Sequence, residues 1–445
     1  MADVYDPIER KAWDDVEALH EDRFCEQVAY LGEESAYYRR MFDEWDVDPR
    51  TLRTIDEFAA IPFTTKQDER DVQAAPTYER PLGEHQTVSR SALNRTISSS
   101  GTTGKPTYFG LTANDRERWN TVLKRFFYGT GIREDDTVIF GVGQTMVPGG
   151  TPYFEGLTHL GANVVPAGGG STERLLSAVE DLYADVFFST VSHARYLIDR
   201  GPEVLGHPLA DLPVTKVIVG GEPGGGNPEI RREIKNGWGV DTVRECMGLG
   251  DVVAGLWAEC EAENGMHFVG QGHVHLELVA PESGEPVPLE PGVAGELVYT
   301  PLGREATPLL RFRSGDHAEI TGTDCRCGRT SPTIRCIGRT DDMLIYKGMN
   351  VFPSAIRDVI SEIEGATARV RIVVPDQVTV QFDEPIPVLV GRDPSTDRSE
   401  KELADAVIEA VRSRLQVRID PEIVDPTDTD LSRYKTNLVV VANDR

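Results

Sequence analysis

Apolar residues recur at helical spacing from Asp14 to Tyr30, and the first eighty residues read as helices. From about Thr87 to Arg200 the texture changes. Short apolar runs, Thr137-Val-Ile-Phe-Gly141, Ala162-Asn-Val-Val-Pro166 and Asp185-Val-Phe-Phe-Ser189, alternate with amphipathic stretches at Asp115–Tyr128 and Thr172–Leu182. The runs predict buried strands and the stretches predict helices between them, which is the alternation of a parallel, doubly wound sheet. Thr215-Lys-Val-Ile-Val-Gly220 continues it. After His273 the pattern turns to strands of alternating character, as in His275–Val279 and Gly295–Thr300, with turns at Glu282-Ser-Gly284 and Glu290-Pro-Gly292.

A last unit begins near Asp341. It predicts a strand at Met343–Tyr346, a helix over Pro353–Ile363, strands at Ala368–Val373 and Pro387–Val390, a helix over Ser399–Leu415 and a closing strand at Leu438–Val441. A hundred residues of this kind suffice for a small α+β domain. The fold class expected is therefore α/β: a large N-terminal domain, residues 1–340, with parallel and mixed sheets and a β-rich part, then a small α+β domain, residues 341–445.

Composition narrows the functions. The chain has 445 residues and a formal charge of -27, and only nine of its 46 basic residues are lysine. So acidic a chain offers no basic face for nucleic acid. The start lacks a signal-peptide pattern and no apolar run reaches bilayer length, so a cytoplasmic protein with no membrane partner is expected. Six cysteines in this length argue for burial or metal ligation over a disulfide framework.

Against that background one stretch stands out for chemistry. Ser98, Ser99, Ser100, Gly101, Thr102, Thr103, Gly104, Lys105 and Pro106 put five hydroxyls, two glycines and a lysine in nine residues. Glycines let backbone approach a ligand, successive N–H groups and hydroxyls form an anion cradle, and Lys105 adds a point charge. A flexible Ser/Thr/Gly linker is the plainer reading. A Walker loop is excluded, since Ser99 stands where its first glycine belongs and Pro106 follows the lysine.

With the rest of the chain, this loop resembles the phosphate loop of the adenylate-forming superfamily, and the branch it is most similar to is the phenylacetate-CoA ligase family. The likeness runs through Ile61-Pro-Phe-Thr-Thr-Lys66, Gly220-Gly-Glu-Pro223, Glu259-Cys-Glu261 with Gly265-Met-His267, Pro308–Asp316, Cys325-Arg-Cys-Gly-Arg329 and Gly338–Pro353. The resemblance implies a ligase that uses ATP and Mg2+ to turn a carboxylate into an acyl-AMP and then passes the acyl group to coenzyme A. It places Ser98–Lys105 on the triphosphate, Gly221, Glu222 and Pro223 beside adenine, Asp316 on the ribose and Arg339 near ribose and phosphates. Asp341 would be the hinge of a mobile C-terminal lid, with Lys347, Gly348 and Asn350 on the CoA side. Lys435, in Ser432-Arg-Tyr-Lys435, falls in register with the catalytic lysine.

The chain departs from the family pattern around Lys435, where the motif's Glu, Gly and Arg are replaced, and at two further places. Where the family has Tyr-Gly-x-Ser/Thr-Glu, this chain has Met247-Gly248-Leu249-Gly250-Asp251. Met247 can pack on a purine through its soft sulfur, and Asp251 can offer oxygen to Mg2+ from one methylene further back. A structural turn is the alternative for Asp251. The family's aromatic-rich acyl segment is replaced by Gly141–Gly150, in which Gly143, Gln144 and Thr145 suggest a hydroxylated or amino-substituted aromatic acid. Cys260, His267, Cys325 and Cys327, at places matching the family, supply a tetrahedral structural Zn2+ set, with buried free cysteines as the alternative and Cys246 and Cys336 as substitutes or core residues.

Three functions follow. The leading one is an aryl-CoA ligase, with a homodimer among its expected states. The second passes an aryl-adenylate to an amine, phenol or carrier protein. The third is a nucleotide-binding homologue with impaired catalysis.

Overall fold

The computed structural model describes residues 4–99, 106–347, 349–375, 381–429 and 437–442. The chain forms two compact units. One comprises Met1–Phe188, Arg244–Ser314 and Ala318–Arg335, and the other Ser189–Val243, Gly315–His317 and Cys336–Arg445. The α/β class read from the sequence is the class observed, with parallel and antiparallel strands and a smaller C-terminal portion.

In the first unit, strand Thr137–Phe140 pairs in parallel with Asn163–Pro166 on one side and Val186–Ser189 on the other. Val138, Ile139, Phe140, Val186 and Phe187 are fully buried, because crossover helices cover a parallel sheet. Helices Ala113–Gly129, Thr151–Leu160 and Thr172–Asp181 supply that cover. Phe140 stacks on Phe188 at 5.6 Å between ring centroids, and Phe127 and Tyr153 meet Phe188 edge-on. The expectation of a buried strand at Ala162–Pro166 needs correction: Asn163–Pro166 is half-exposed and lies at a sheet edge. Asn163 N–H still donates to the Asp136 carbonyl at 3.0 Å, and Pro166, which has no N–H to give, suits an edge strand with one open side.

The antiparallel part holds Thr242–Leu249, Val253–Glu259 and Met266–Phe268 in succession, and pairs Val274–Val279 with Ala294–Pro301. These last two strands are buried on both faces, so their expected alternation does not mark a solvated side. Helices Trp13–Glu34 and Ala36–Glu44 bury Phe24, Val28, Leu31, Tyr38 and Phe42 against Phe58, Leu302 and Leu310, with Phe24 stacked on Phe58 at 3.7 Å.

In the second unit, helices Val191–Leu205 and Pro228–Trp238 accompany strand Lys216–Gly220, and the Trp238 indole donates to the Ala194 carbonyl at 3.0 Å. The C-terminal sheet runs Ile419–Val424, Ile386–Arg392, Ala366–Val374, Val439–Val441. Helices Pro353–Ser361 and Glu400–Leu415 close its core of Ile356, Ile360, Ile372, Val390, Leu403, Val407 and Val411. A capping box at Ser399 and Glu402 starts the second of these helices. No described helix is long and apolar enough to cross a membrane.

Candidate active site

Strand Arg95–Ser98 pairs antiparallel with Tyr108–Leu111, so the Ser/Thr/Gly stretch leaves and re-enters a two-stranded ribbon. Its rims are tied. Ser99 N–H donates to the Thr107 carbonyl at 3.0 Å, and Thr107 N–H donates back to Ser99 Oγ at 3.1 Å. Ser98 is buried and its N–H donates to the Met146 carbonyl, which joins the ribbon to the 141–150 segment. Ser100, Gly101, Thr102, Thr103, Gly104 and Lys105 lie outside the described residues, as do Gly348 and Lys435.

The 141–150 segment folds on itself. Thr145 N–H donates to the Gly143 carbonyl at 2.9 Å, and Gly150 N–H to the Val147 carbonyl at 2.9 Å. Gly150 allows this closure, since a Cβ there would stand 2.8 Å from Gly143 O and from Thr145 N and O. Gln144 and Thr145 are exposed and Gly143 is half-buried.

Met247 to Asp251 form the end of the hairpin made by Thr242–Leu249 and Val253–Glu259. Met247 faces Trp257, and the register shifts between Met247 and Leu249. Gly248 is required by the backbone: a Cβ would lie 1.6 Å from the Ala254 carbonyl oxygen. Gly250 is required by its neighbours, because a Cβ there would stand 1.9 Å from Pro148 Cγ and 3.2 Å from Phe109 Cζ. Pro148 therefore occupies the space that a side chain at position 250 would need.

Asp251 is 5% exposed and does not stand alone. Lys66 Nζ donates to Asp251 Oδ1 and, at 2.8 Å, to Glu69 Oε2. Glu69, 3% exposed, shares a side-chain hydrogen bond with Asp251. Lys66 opens helix Lys66–Val72 behind the Thr65–Asp68 capping box, one turn before Glu69, and its ammonium lies 5.7 Å from the Phe109 ring centroid. Burial works to raise the Asp251 carboxyl, but the charge of Lys66 and hydrogen bonds from Glu69 and Lys66 hold it below its ordinary value. Burial and the Asp251 charge push Glu69 well above its own. One ammonium thus serves two buried carboxyls whose affinities for a proton are pushed in opposite directions. The sequence reading gave Lys66 and Glu69 no role, because a lysine three residues before a glutamate on a helix carries no signal of burial.

In the second unit Asp316, 5% exposed, is ion-paired with Arg339, which brings together the two residues expected around a ribose. His317 Nε2 lies 2.8 Å from Thr340 Oγ1, and its ring packs 4.9 Å from Phe352. Asp341 follows in a single 3-10 turn. Gly221 takes φ +80°. Glu222 accepts from Ser192 N–H at 2.5 Å and from Ser192 Oγ at 2.9 Å, placing a carboxylate at the positive start of helix Val191–Leu205. The Pro223 carbonyl accepts from Arg357 at 3.1 Å. Lys347 takes φ +49° just after strand Leu344–Tyr346, which pairs with Met349–Val351 and sets the exposed Asn350 opposite Ile345.

Cys260, His267, Cys325 and Cys327 converge: their ligand atoms all lie within 4.8 Å of one another. Cys260 Sγ is 3.7 Å from Cys325 Sγ, and Cys327 Sγ is 3.4 Å from His267 Nε2. His267 Nδ1 lies 3.2 Å from the Ser331 carbonyl, which can only accept, so the Nε2 lone pair turns toward the sulfurs. The hydrogen bond from Cys260 outweighs burial and pulls the Cys327 thiol far below its ordinary value. Three soft donors and one imidazole fit tetrahedral Zn2+. Around them Arg329 hydrogen-bonds to Cys327 and, at 2.8 Å, to the fully buried Glu9, so the N-terminal turn is fastened to this loop. Cys246 and Cys336 are outside the cluster.

Residues 348–443 match a family model described as the AMP-binding enzyme C-terminal domain. The phenylacetate-coenzyme A ligase of Thermus thermophilus is 34% identical over 430 residues, covering 94% of this chain and 93% of that protein. The Escherichia coli phenylacetate-coenzyme A ligase is 32% identical over 360 residues, 81% of this chain and 79% of its own. Among solved structures, a 2-hydroxyisobutyryl-CoA ligase in the postadenylation state with 2-HIB-AMP is 25% identical, with a TM-score of 0.87 over 98% of this chain and 92% of that one.

The contact at Gly250 is testable. Gly250→Ala should cost about 1–3 kcal/mol in urea unfolding, as overpacking does, and Pro148→Ala in the same chain should return part of it. A Gly250→Ala protein as stable as the parent would contradict the packing described.

Proposed function

This chain belongs to the phenylacetate-coenzyme A ligase family of adenylate-forming enzymes and is an AMP-forming acid–CoA ligase, and we propose that its acid is aromatic, of the phenylacetate or benzoate kind. A carboxylate oxygen of the acid attacks the α-phosphorus of ATP, and the bond to pyrophosphate breaks. The CoA sulfur, having lost its proton, then attacks the acyl carbon, and AMP leaves with the bonding pair. The observation that carries this reading is the relationship to phenylacetate-coenzyme A ligases, over 80% to 94% of the chain. The exposed Gln144 and Thr145, in a segment closed by its own hydrogen bonds, favour an acid bearing a hydroxyl or amino group.

The residue roles are proposed on the same footing. Ser98 to Lys105 would grip the triphosphate, and a ribbon tied at Ser99 and Thr107 suits a loop that must hold its shape around charge. Asp316 would accept from the ribose hydroxyls, with Arg339 already at its side. Gly221–Pro223 and Met247–Gly248 would flank adenine, through backbone more than side chain, since Glu222 is engaged at a helix start. Lys435 would bridge carboxylate and α-phosphate. Asp341 would be the hinge between residues 1–340 and 341–445, with Lys347, Gly348 and Asn350 on the CoA side. Mg2+ would arrive with ATP. Cys260, His267, Cys325 and Cys327 would hold Zn2+, whose part is to cross-link loops that chain order leaves far apart.

Pyrophosphate release over a panel of aromatic acids tests the substrate, and appearance of a thioester when CoA is added tests the acceptor. Release with aliphatic acids alone would refute the aromatic assignment. Lys435→Ala should lower pyrophosphate release by about 10²–10³-fold while sparing thioester formation from supplied acyl-AMP; normal adenylation would remove Lys435 from its role. Elemental analysis should give about one zinc per chain, lost in Cys327→Ser together with a lower unfolding temperature. A parent protein free of zinc when purified without chelator would dismiss the metal.

A further inference from the structure

A carboxylate that ligates Mg2+ must present oxygen to a small ion that keeps several of its own waters, in near-octahedral order. Asp251, the carboxylate at the position where the family motif has its glutamate, presents no such face. It is 5% exposed, Lys66 donates to one of its oxygens, and Glu69 is hydrogen-bonded to it. The turn that carries it is held on the other side by Pro148 and Phe109 packing against Gly250, and Phe109 also underlies the ammonium of Lys66. The donor set is therefore complete without a metal ion, and the residues as arranged do not fit one.

We propose that Lys66 is the resident cation of Asp251: a positioning residue that fixes the Leu249–Val253 turn, while the divalent ion of ATP is bound through phosphate oxygens and not through Asp251. The chemistry is an exchange of one counter-ion for another. The shorter aspartate draws the carboxylate back from where a hydrated ion would sit, and the four-carbon stem of Lys66 reaches in to neutralise it. An ammonium is a compact point charge with three donors, enough for both carboxyls it meets. Leaving either partner alone in this buried place is unfavourable, whereas removing both charges relieves the other.

The metal half of this proposal rests on the ATP-dependent reading above; the ion-pair half does not. Four full-length proteins decide it: the parent, Lys66→Met, Asp251→Asn and the double variant. Each single variant should unfold at a lower temperature, and the double should lose less than the sum of the two. Lys66→Arg, which keeps the charge, should fall nearer the parent than Lys66→Met. Independent, additive losses would overturn the ion pair.

Mn2+ binding to the ATP complex, followed by electron paramagnetic resonance, reads the second half. Asp251→Asn should leave the Mn2+ affinity within about twofold, whereas loss of a ligand or its close support weakens metal binding by about tenfold or more. A tenfold loss in Asp251→Asn would overturn the assignment of the metal to phosphate. Should the parent bind no ATP, the nucleotide reading fails and takes the metal half with it, while the unfolding temperatures still judge the ion pair.

Discussion

A carboxylate taken out of water needs a cation of its own, and around Asp251 that requirement organises the site. Lys66, Glu69, Phe109, Pro148, Gly250 and Asp251 come from four separate stretches of chain. The buried charge gives them one arrangement. Lys66 must stand at the start of its helix to reach both carboxyls, and Gly250 must lack a side chain for Pro148 to close the turn. Breaking such a pair on one side typically costs about 3–5 kcal/mol, a large share of a domain's stability. The same demand that makes the cluster rigid withdraws Asp251 from other partners.

Elsewhere the chain uses the same device of fixing loops by polar contacts. Glu222 is held at a helix start, Asp316 is held by Arg339, and Glu9 with Arg329 fastens the N-terminal turn to the cysteine-bearing loop. Asp316 and Glu9 are buried with their partners, as burial demands, and Glu222 is half-buried. Preorganisation of this kind is what an enzyme needs where charge moves during the reaction. Among the described residues arginine supplies the cation in most of the buried pairs, and its planar fork satisfies several acceptors at once.

Much of the fold was legible in the sequence because burial leaves a periodic signature. The runs at Val138–Phe140 and Val186–Phe188 read as strands covered on both faces, and they are. The helix expected over Ser399–Leu415 forms as Glu400–Leu415, with Ser399 as its cap. Ala162–Pro166 misled because so short a run, apolar but for Asn163, cannot distinguish an edge strand from a central one. In the site, the convergence of Cys260, His267, Cys325 and Cys327 was legible only through the family likeness, since their spacing carries no metal signature. The Lys66–Asp251 pair was not legible at all. The two residues lie 185 positions apart, and a lysine followed by a glutamate one helical turn later ordinarily marks a solvated helix face.

The most direct test of this account is a crystal structure of the protein with ATP and Mn2+, with the metal located by its anomalous scattering. The account predicts the Mn2+ signal on phosphate oxygens, with Lys66 still bonded to Asp251. Mn2+ seated on the Asp251 carboxylate, with Lys66 displaced from it, would contradict it.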